Sequence, residues 1–259
     1  MIRLPQRSLP PWAEMLERAH REFESLGSLS SEVVGELAGW LLVEQVVSDL
    51  FLDGICVERE KVVAAVLEKA EISSEHVIVA RRFARAVEEL SRRLSSDGNP
   101  ATVELTTDLL LTLHRFAVGE AEPSAGQFRQ TEVNPLYPGH VPCLPDELPR
   151  LVELALEWFA AESVRELHPV EQAALVHTRL ADLQPFAKGT SRVIRLAASL
   201  YTLRVGLPPI IIPRDLVQDY YQATLSALQM ATDPLVELFA RALTVTLRQM
   251  TEIVRSRQA

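Results

Sequence analysis

The chain has 259 residues, with 26 lysines and arginines against 35 aspartates and glutamates, so its formal net charge is −9. Proteins that bind nucleic acids usually present a basic face or stripe, and this acidic balance argues against nucleic acid as a partner. Because 47% of the residues are hydrophobic, the chain can bury a sizeable core. The composition predicts a globular protein, either one domain or a domain with an N-terminal extension.

The cysteines and the N-terminal segment bear on the cellular compartment. Cys56 and Cys143 lie far apart and belong to no Cys-x-x-Cys motif or Cys/His spacing typical of zinc. The segment MIRLPQRSLPPW has no continuous apolar stretch of the kind found in export signals, and no run approaches the roughly 18 apolar residues that span a bilayer. We expect a reduced, cytoplasmic protein with no metal site and no membrane contact.

Apolar residues recur mostly at spacings of three and four, which predicts helices. The clearest stretches are residues 33–41, 151–159 and 170–181. The segment SSDGNP (95–100) is typical of a loop, and TTD (106–108) is suited to cap the helix that follows. His177 lies on an apolar helical face, where a core histidine is favoured over a displaced catalytic base. The pattern predicts an all-α fold.

Residues 127–149, QFRQTEVNPLYPGHVPCLPDELP, interrupt the helical pattern; we call them the flap segment. They contain five prolines and one glycine. Proline lacks a backbone N–H and disrupts a helix interior, so this segment is not expected to be helical. A short extended hairpin and a pinned loop both agree with its composition.

Residues 184–195, QPFAKGTSRVIR, open a predicted helix at Gly189 beside three cations, which are Lys188, Arg192 and Arg195. A helix N-terminus carries partial positive charge and unpaired N–H groups, so its first turn normally attracts acids or a bound anion. Cations in this place predict a counter-charge nearby. It is either a bound anion such as a nucleotide phosphate or a carboxylate of the protein itself.

This stretch resembles the loop of Fic-domain proteins, His-Pro-Phe-x-Asp/Glu-Gly-Asn-Gly-Arg-x-x-Arg, which lies between two helices. The positions that match are Pro185, Phe186, Gly189, Arg192 and Arg195. The resemblance extends from about residue 100 to the C-terminus. Before the loop, AGQFRQTEV (125–133) is similar to the segment entering the family's flap, VPCLPDELPRLVELALEWF to the helix after it and HPVEQAALVHTRL to the helix that leads into the loop; after the loop, DYYQATLSALQMATDPLVELF (219–239) is similar to the helices that follow. The resemblance implies an N-terminal helical region (1–98) and a Fic-type helical core (99–259) with a short β-hairpin flap.

Two departures from the family loop bear on its chemistry. In adenylyl-transferring members the loop histidine is the general base for a Ser, Thr or Tyr hydroxyl that attacks the α-phosphate of ATP, and the loop acid holds Mg²⁺. Gln184 stands at the histidine position and Lys188 at the acid position. An amide has no useful basicity at pH 7 and an ammonium cannot bind a cation. The resemblance therefore implies neither a base at Gln184 nor Mg²⁺ in its usual place.

The anion-binding half of the loop is better retained. Gly189 can take the tight turn, Thr190 and Ser191 present amides and hydroxyls at the helix start, and Arg192 and Arg195 share a helix face. Together with Lys188, these residues form the expected nucleotide- or anion-binding set. Thr190 replaces an asparagine that contacts phosphate in the family.

The segment EQVVSDLFLDGI (44–55) resembles the family's inhibitory helix, Ser/Thr-x-x-x-Glu-Gly/Asn. Asp49 stands where serine or threonine belongs, and Asp53 stands where the glutamate belongs. The resemblance implies that Asp53 pairs with Arg195 and obstructs the γ-phosphate position. The alternative is a helix that simply ends at Gly54.

The resemblance implies a protein related to AMP transferases that keeps a nucleotide or phosphate pocket but has weak or no transfer activity. ATP or another nucleotide is the expected ligand, and a protein target or partner is expected at the flap; a homodimer is left open. One alternative is an active enzyme with altered nucleotidyl or phosphate-group transfer, in which Lys188 supplies positive charge without Mg²⁺. Another is a non-catalytic protein-interaction module with a salt-bridged loop.

Overall fold

The computed structural model describes residues 10–96 and 98–258, so most of the segment MIRLPQRSLPPW and Asp97 of the SSDGNP loop lie outside the described residues. Within these ranges the regular structure is helical and contains no β-strand. The α-helices are α1 (Pro11–Glu24), α2 (Ser31–Leu52), α3 (Arg59–Val66), α4 (Glu75–Ser96), α5 (Thr107–Val118), α6 (Leu148–Phe159), α7 (Glu162–Arg165), α8 (Pro169–Leu183), α9 (Thr190–Leu203), α10 (Val217–Leu228) and α11 (Asp233–Gln258). Short 3-10 turns occupy Pro100–Thr102, Pro145–Glu147 and Arg214–Leu216.

The predicted helices are confirmed. Residues 33–41 lie in α2, residues 151–159 in α6 and residues 170–181 in α8. The predicted cap before α5 is also confirmed, because the Thr106 hydroxyl oxygen accepts the Leu109 N–H at 3.1 Å. No helix in the described ranges combines the length and apolar character needed to cross a bilayer.

The β-hairpin expected in the flap segment is wrong, because residues 127–144 form turns, bends and irregular backbone without a strand. The expectation that the whole segment is non-helical is also wrong at its end, where residues 145–149 form a 3-10 turn and the start of α6. The prolines at 135, 138 and 142 remove N–H donors that a strand ladder needs. The backbone is pinned to the core instead. The Arg129 N–H donates to the Pro185 carbonyl at 2.9 Å, a ring nitrogen of His140 lies 2.8 Å from the Asp182 carbonyl oxygen, and the Tyr137 side chain is buried.

The centre of the fold is the pair α8 and α9, and every residue of α9 from Arg192 to Thr202 is buried. The helices α5, α2 and α4 pack against α9, whereas α6, α10 and α11 pack against α8. One hydrophobic cluster extends from Leu16 in α1 to Leu247 in α11. The N-terminal helices thus share a core with the rest of the chain, and the boundary between residues 98 and 99 stays a prediction.

Two hydrogen bonds fix the C-terminal half of α2 beside α9. The Ser48 hydroxyl donates to the Ile212 carbonyl at 2.8 Å, and the Tyr221 hydroxyl donates to the Leu52 carbonyl at 2.6 Å. The helix then ends with Asp53 as its C-cap and Gly54 at φ 77°. These bonds hold the end of α2 against α10 and the segment that follows α9.

His177 is confirmed as a core residue. It is fully buried in α8, its Nε2 lies 2.8 Å from the Tyr220 hydroxyl, and its ring packs edge-on against Tyr220 and Phe239. Burial lowers its pKa to about 3, and the charge of Arg195 contributes in the same direction. His177 is therefore neutral in the folded protein across the physiological range.

This burial predicts a loss of stability in acid. Below about pH 6.5 the histidine takes a proton in the unfolded chain but not in the folded one, so the free energy of unfolding falls by up to about 1.4 kcal/mol per pH unit until the folded pKa is reached. Urea denaturation at pH 7, 6 and 5 of wild type and His177→Gln measures this effect. Glutamine does not titrate, so the variant should lose less stability between pH 7 and 5, and equal losses would contradict the prediction.

Candidate functional site

The loop between α8 and α9 has two residues in the left-handed region. Gln184 caps the end of α8 at φ 44°, and Gly189 precedes α9 at φ 68°. A Cβ atom at Gly189 would lie 2.9 Å from Cγ1 of Val118, which is closer than packing allows. The position therefore requires glycine for both conformation and space, and α9 begins at Thr190, where the sequence predicted the helix opening.

The interior of this loop is held by Thr190 and His114. The Thr190 hydroxyl donates to the Phe186 carbonyl at 2.7 Å, so its side chain closes the loop. The His114 ring stacks on Phe186 with centroids 3.8 Å apart. Its Nδ1 accepts the Gly126 N–H at 3.1 Å, which leaves Nε2–H as the donor to the Lys188 carbonyl at 3.1 Å. Burial lowers the pKa of His114 to about 4, so this tautomer is uncharged at neutral pH.

Arg129 joins the flap segment to the end of α8. Its guanidinium is buried and donates to the carbonyl oxygens of Gln184 at 2.8 Å, Cys143 at 2.6 Å and Thr131 at 3.2 Å. No carboxylate among the described residues forms an ion pair with it. A cation at the C-terminus of a helix is favoured by the helix dipole, which here helps to offset burial of the charge.

The side chain of Gln184 is 1% exposed and bonds to the flap segment. In the amide orientation that satisfies both of its polar groups, it accepts the Leu136 N–H at 2.9 Å and donates to the Asn134 carbonyl at 3.2 Å. The amide is thus hydrogen-bonded to two backbone groups of the flap segment, one on Asn134 and one on Leu136. This is a positioning contact, with both ends of the side chain occupied.

The counter-charge expected at the start of α9 comes from carboxylates of the protein. Asp53 bridges both arginines, with Oδ2 at 2.7 Å from Arg192 Nε and Oδ1 at 2.9 Å from Arg195 Nη2. Asp49 pairs with Arg195 Nε, and its backbone carbonyl accepts from Arg195 Nη2 at 2.8 Å. We call Asp49, Asp53, Arg192 and Arg195 the arginine–aspartate cluster. The third cation, Lys188, pairs with Glu122 at 3.1 Å.

Burial governs the electrostatics of this cluster. The side chains of Arg195 and Asp49 are 2% and 3% exposed. Burial raises the pKa of Asp49 to about 6, and the neighbouring Arg195 charge opposes that rise. Although burial disfavours its charge, the carboxylates of Asp49 and Asp53 raise the pKa of Arg195 well above its usual value. Arg195 is therefore a permanent buried cation that needs its acids.

A cleft of about 490 Å³ opens between the end of α2, the flap segment and the start of α9. This volume falls within the range of small-molecule sites. The cleft is lined by every residue that the sequence predicted for the site, namely Asp53, Gln184, Lys188, Gly189, Thr190, Ser191, Arg192 and Arg195. The structure brings these residues together; their roles stay predictions.

Several residues that shape the site were missed by sequence reasoning. Asp49 was interpreted only as a departure from the inhibitory pattern, yet it pairs with Arg195. Glu122, His114 and Arg129 were given no role. The excess of cations at residues 188–195 indicated a counter-charge, either a bound anion or a carboxylate. No local pattern points to Glu122 or Asp49, which lie 66 and 146 residues away from the cations they pair with.

Mg²⁺ does not fit the residues at its usual family position. The ion needs oxygen donors, whereas this position presents the Lys188 ammonium, already bonded to Glu122. No group of three or more His, Cys, Asp or Glu side chains within residues 10–96 and 98–258 could hold a metal ion.

Residues 104–202 match the family model of the Fic/DOC family. The protein adenylyltransferase Fic of Drosophila grimshawi is 38% identical over 120 residues, which is 46% of this chain and 24% of that protein. The same protein of Drosophila erecta is 37% identical over the same length. The chain spans about a quarter of the length of the curated relatives it matches.

Solved structures agree on the fold. A Fic-domain signalling protein from Bacteroides thetaiotaomicron superposes with a TM-score of 0.81 at 18% identity, over 93% of this chain and 98% of that one. A Fic family protein from Desulfovibrio desulfuricans gives 0.75 at 19%, over 99% and 78%. IbpAFic2, covalently tethered to Cdc42 in its structure, gives 0.50 at 14%, over 92% and 72%. The chain contains a domain of the Fic/DOC family, which confirms the resemblance.

The cluster predicts that removing Asp49 lowers the free energy of unfolding more than removing an exposed acid does. Asp49→Ala leaves Arg195 buried with one carboxylate instead of two, and breaking such a pair typically costs about 3 to 5 kcal/mol. Asp219→Ala, which removes an exposed acid paired with Arg241, is the matched control and should change stability by less than about 0.5 kcal/mol. Urea denaturation measures both. Equal effects would show that the buried pair contributes no more than a surface one.

Proposed function

We propose that the protein is a nucleotide- or phosphate-binding Fic protein with weak or no AMP-transfer activity, whose anion site is closed by its own carboxylates. The observation that carries this proposal is the state of Gln184. It stands at the position of the family's base, it is buried, and both ends of its amide bond to the flap segment. The naming of the relatives as protein adenylyltransferases gives the reaction class.

AMP transfer needs an acceptor for one proton. The target hydroxyl oxygen forms a bond to the α-phosphorus of ATP, pyrophosphate leaves, and the hydroxyl proton must go to a base. Among the described residues that line the cleft there is no histidine, and Asp53 is the one carboxylate. Asp53 is bonded to Arg192 and Arg195. The cleft therefore offers no free base.

The arginine–aspartate cluster supports closure of the anion site. Arg192 is the cation that a phosphate in the cleft would meet, and its Nε bonds to Asp53. A phosphate and the Asp53 carboxylate need the same guanidinium hydrogens, so they compete. Affinity for ATP in the wild type is therefore reduced by the free energy of the Asp53 contacts.

Lys188 favours the alternative of altered nucleotidyl or phosphate-group transfer. Its side chain is 67% exposed at the edge of the cleft. An exposed ion pair such as Lys188 with Glu122 contributes little to stability, so the ammonium can turn toward a phosphate. The further alternative, an interaction module with a salt-bridged loop, is favoured by the same Asp53 contacts if no nucleotide binds.

The expected partner is a protein. The solved IbpAFic2 structure is tethered to Cdc42, a protein, although that likeness concerns the fold alone. By analogy we place a protein target or partner at the flap segment, which forms one wall of the cleft. A cytoplasmic location and a homodimer stay predictions.

We predict that transfer of AMP from labelled ATP to the protein itself or to lysate proteins will be undetectable or very weak. Loss of a general base typically lowers a rate by about 10² to 10⁴. Gln184→His alone should not restore transfer, because Lys188 still repels Mg²⁺. The double variant Gln184→His with Lys188→Asp should regain some AMP transfer. Adding Asp53→Ala should increase it, because the change removes the carboxylate bonded to Arg192 and Arg195.

The label is followed by mass spectrometry with and without Mg²⁺. Transfer by wild type at rates typical of enzymes would contradict the assignment of Gln184, and full activity in the single variant would contradict the role given to Lys188. A Gln184→Ala variant is the matched control for loss of the flap contacts without a gain of basicity.

The response to nucleotides tests the anion site directly. We expect little change in the Tm of wild type with ATP, ADP or inorganic phosphate, because Asp53 occupies Arg192. In Asp53→Ala, ligand at ten times its Kd should stabilise by about 1.4 kcal/mol, which is roughly 3 to 6 °C for a chain of this size. Added salt should weaken the response.

Two controls separate the outcomes. Asp219→Ala removes one exposed acid and should leave the response of wild type unchanged. Adding Arg192→Ala to Asp53→Ala should abolish the response. If neither wild type nor Asp53→Ala responds to any phosphate compound, the nucleotide-binding proposal is wrong and the loop is structural.

A further inference from the structure

A second cavity lies away from the cleft, between α2, α4 and the end of α9. Its volume is about 480 Å³, and its walls are mostly apolar. The apolar lining comprises Ala38, Leu41, Leu42, Val87, Leu203 and Pro209. It shares no lining residue with the cleft at Gln184. Its size falls within the range of pockets that hold small molecules.

Gln45 of α2 is the polar residue buried in this cavity. It lines the cavity and is 1% exposed, yet its side-chain Nε2 has no hydrogen-bond partner among the described residues. More than nine in ten buried polar groups are satisfied in folded proteins, and an unpaired one is costly. Among the described residues, the two hydrogens of this amide therefore have no acceptor.

The other side-chain donors that line the cavity each form at least one hydrogen bond. Ser91 donates to the Val87 carbonyl at 3.1 Å, Ser95 donates to the Ser91 carbonyl at 2.9 Å, and Arg92 forms a two-point pair with Glu89. Gln45 is therefore the donor left for a ligand within the described lining.

We propose that this cavity binds a small, uncharged and mostly apolar molecule whose carbonyl or similar oxygen accepts a hydrogen bond from Gln45 Nε2. The apolar walls favour a hydrocarbon body. The Glu88 carboxylate at the cavity and the neutralised charge of Arg92 disfavour an anionic ligand. Pockets of this composition, with one placed polar group, are typical of ligand sites. The proposal does not rest on nucleotide binding or on the arginine–aspartate cluster.

The test uses two probes of similar size and shape, benzylacetone, which has a carbonyl oxygen, and butylbenzene, which has none. Isotope-labelled protein is titrated with each, and the side-chain amide resonances of Gln45 are followed by NMR. Benzylacetone should shift these resonances in a saturable manner. In Gln45→Met, which keeps length and removes the donor, benzylacetone affinity should fall at least about tenfold, while butylbenzene affinity should not fall.

Two further measurements keep the test decisive. The Tm of Gln45→Met should equal or exceed that of wild type, because the variant loses an unpaired buried donor. A second variant, Ala38→Trp, fills the cavity from its exposed side and should abolish binding of both probes without unfolding the protein. The proposal would be overturned if binding is not saturable or if benzylacetone affinity is equal in wild type and Gln45→Met. It would also be overturned if the Tm of Gln45→Met is lower than that of wild type by several degrees, because the amide would then have a structural partner.

Discussion

The structure depends on how the charge of Arg195 is satisfied. Its side chain is 2% exposed in the central helix α9, and an unpaired charge so deeply buried would cost several kcal/mol. The acids that compensate it, Asp49 and Asp53, lie one turn apart on α2. The N-terminal helices therefore do more than cover apolar surface. They complete the electrostatics of the core, and this explains why the end of α2 is also fixed by the Tyr221 bond to Leu52.

The loop between α8 and α9 is held by charges of opposite sign at its two ends. Arg129 donates to the last carbonyls of α8, where the helix dipole is negative, and Asp53 lies at the first turn of α9, where it is positive. Both placements favour the observed loop conformation, including the left-handed Gln184. The same arrangement pairs Arg192 with Asp53, the contact with which a phosphate would compete in the proposed function.

How much of this could be predicted differs from one residue to another. The start of α9 at Gly189 and Thr190 and the need for a counter-charge followed from local rules for helix ends. The partnership of Asp49 with Arg195 did not, because it joins residues 146 apart and depends on how α2 packs. The composition of the flap segment left a hairpin and a pinned loop open, and the resemblance favoured the hairpin. Hydrogen bonds from Arg129 and Gln184, which no pattern in the flap segment indicates, replace its ladder.

The departures of this chain from the family loop are consistent with one another. Gln184 bonds to the backbone of the flap segment, Lys188 bonds to Glu122, and the arginines bond to the aspartates of α2. These side chains, which the resemblance places at ATP or its metal, therefore have internal partners in this protein. In the function proposed above, a nucleotide would compete with the internal contacts of Asp53, since a ligand shifts an equilibrium only by its differential affinity. Under that proposal, the stability of the arginine–aspartate cluster and occupancy of the cleft by a phosphate are opposed through Asp53.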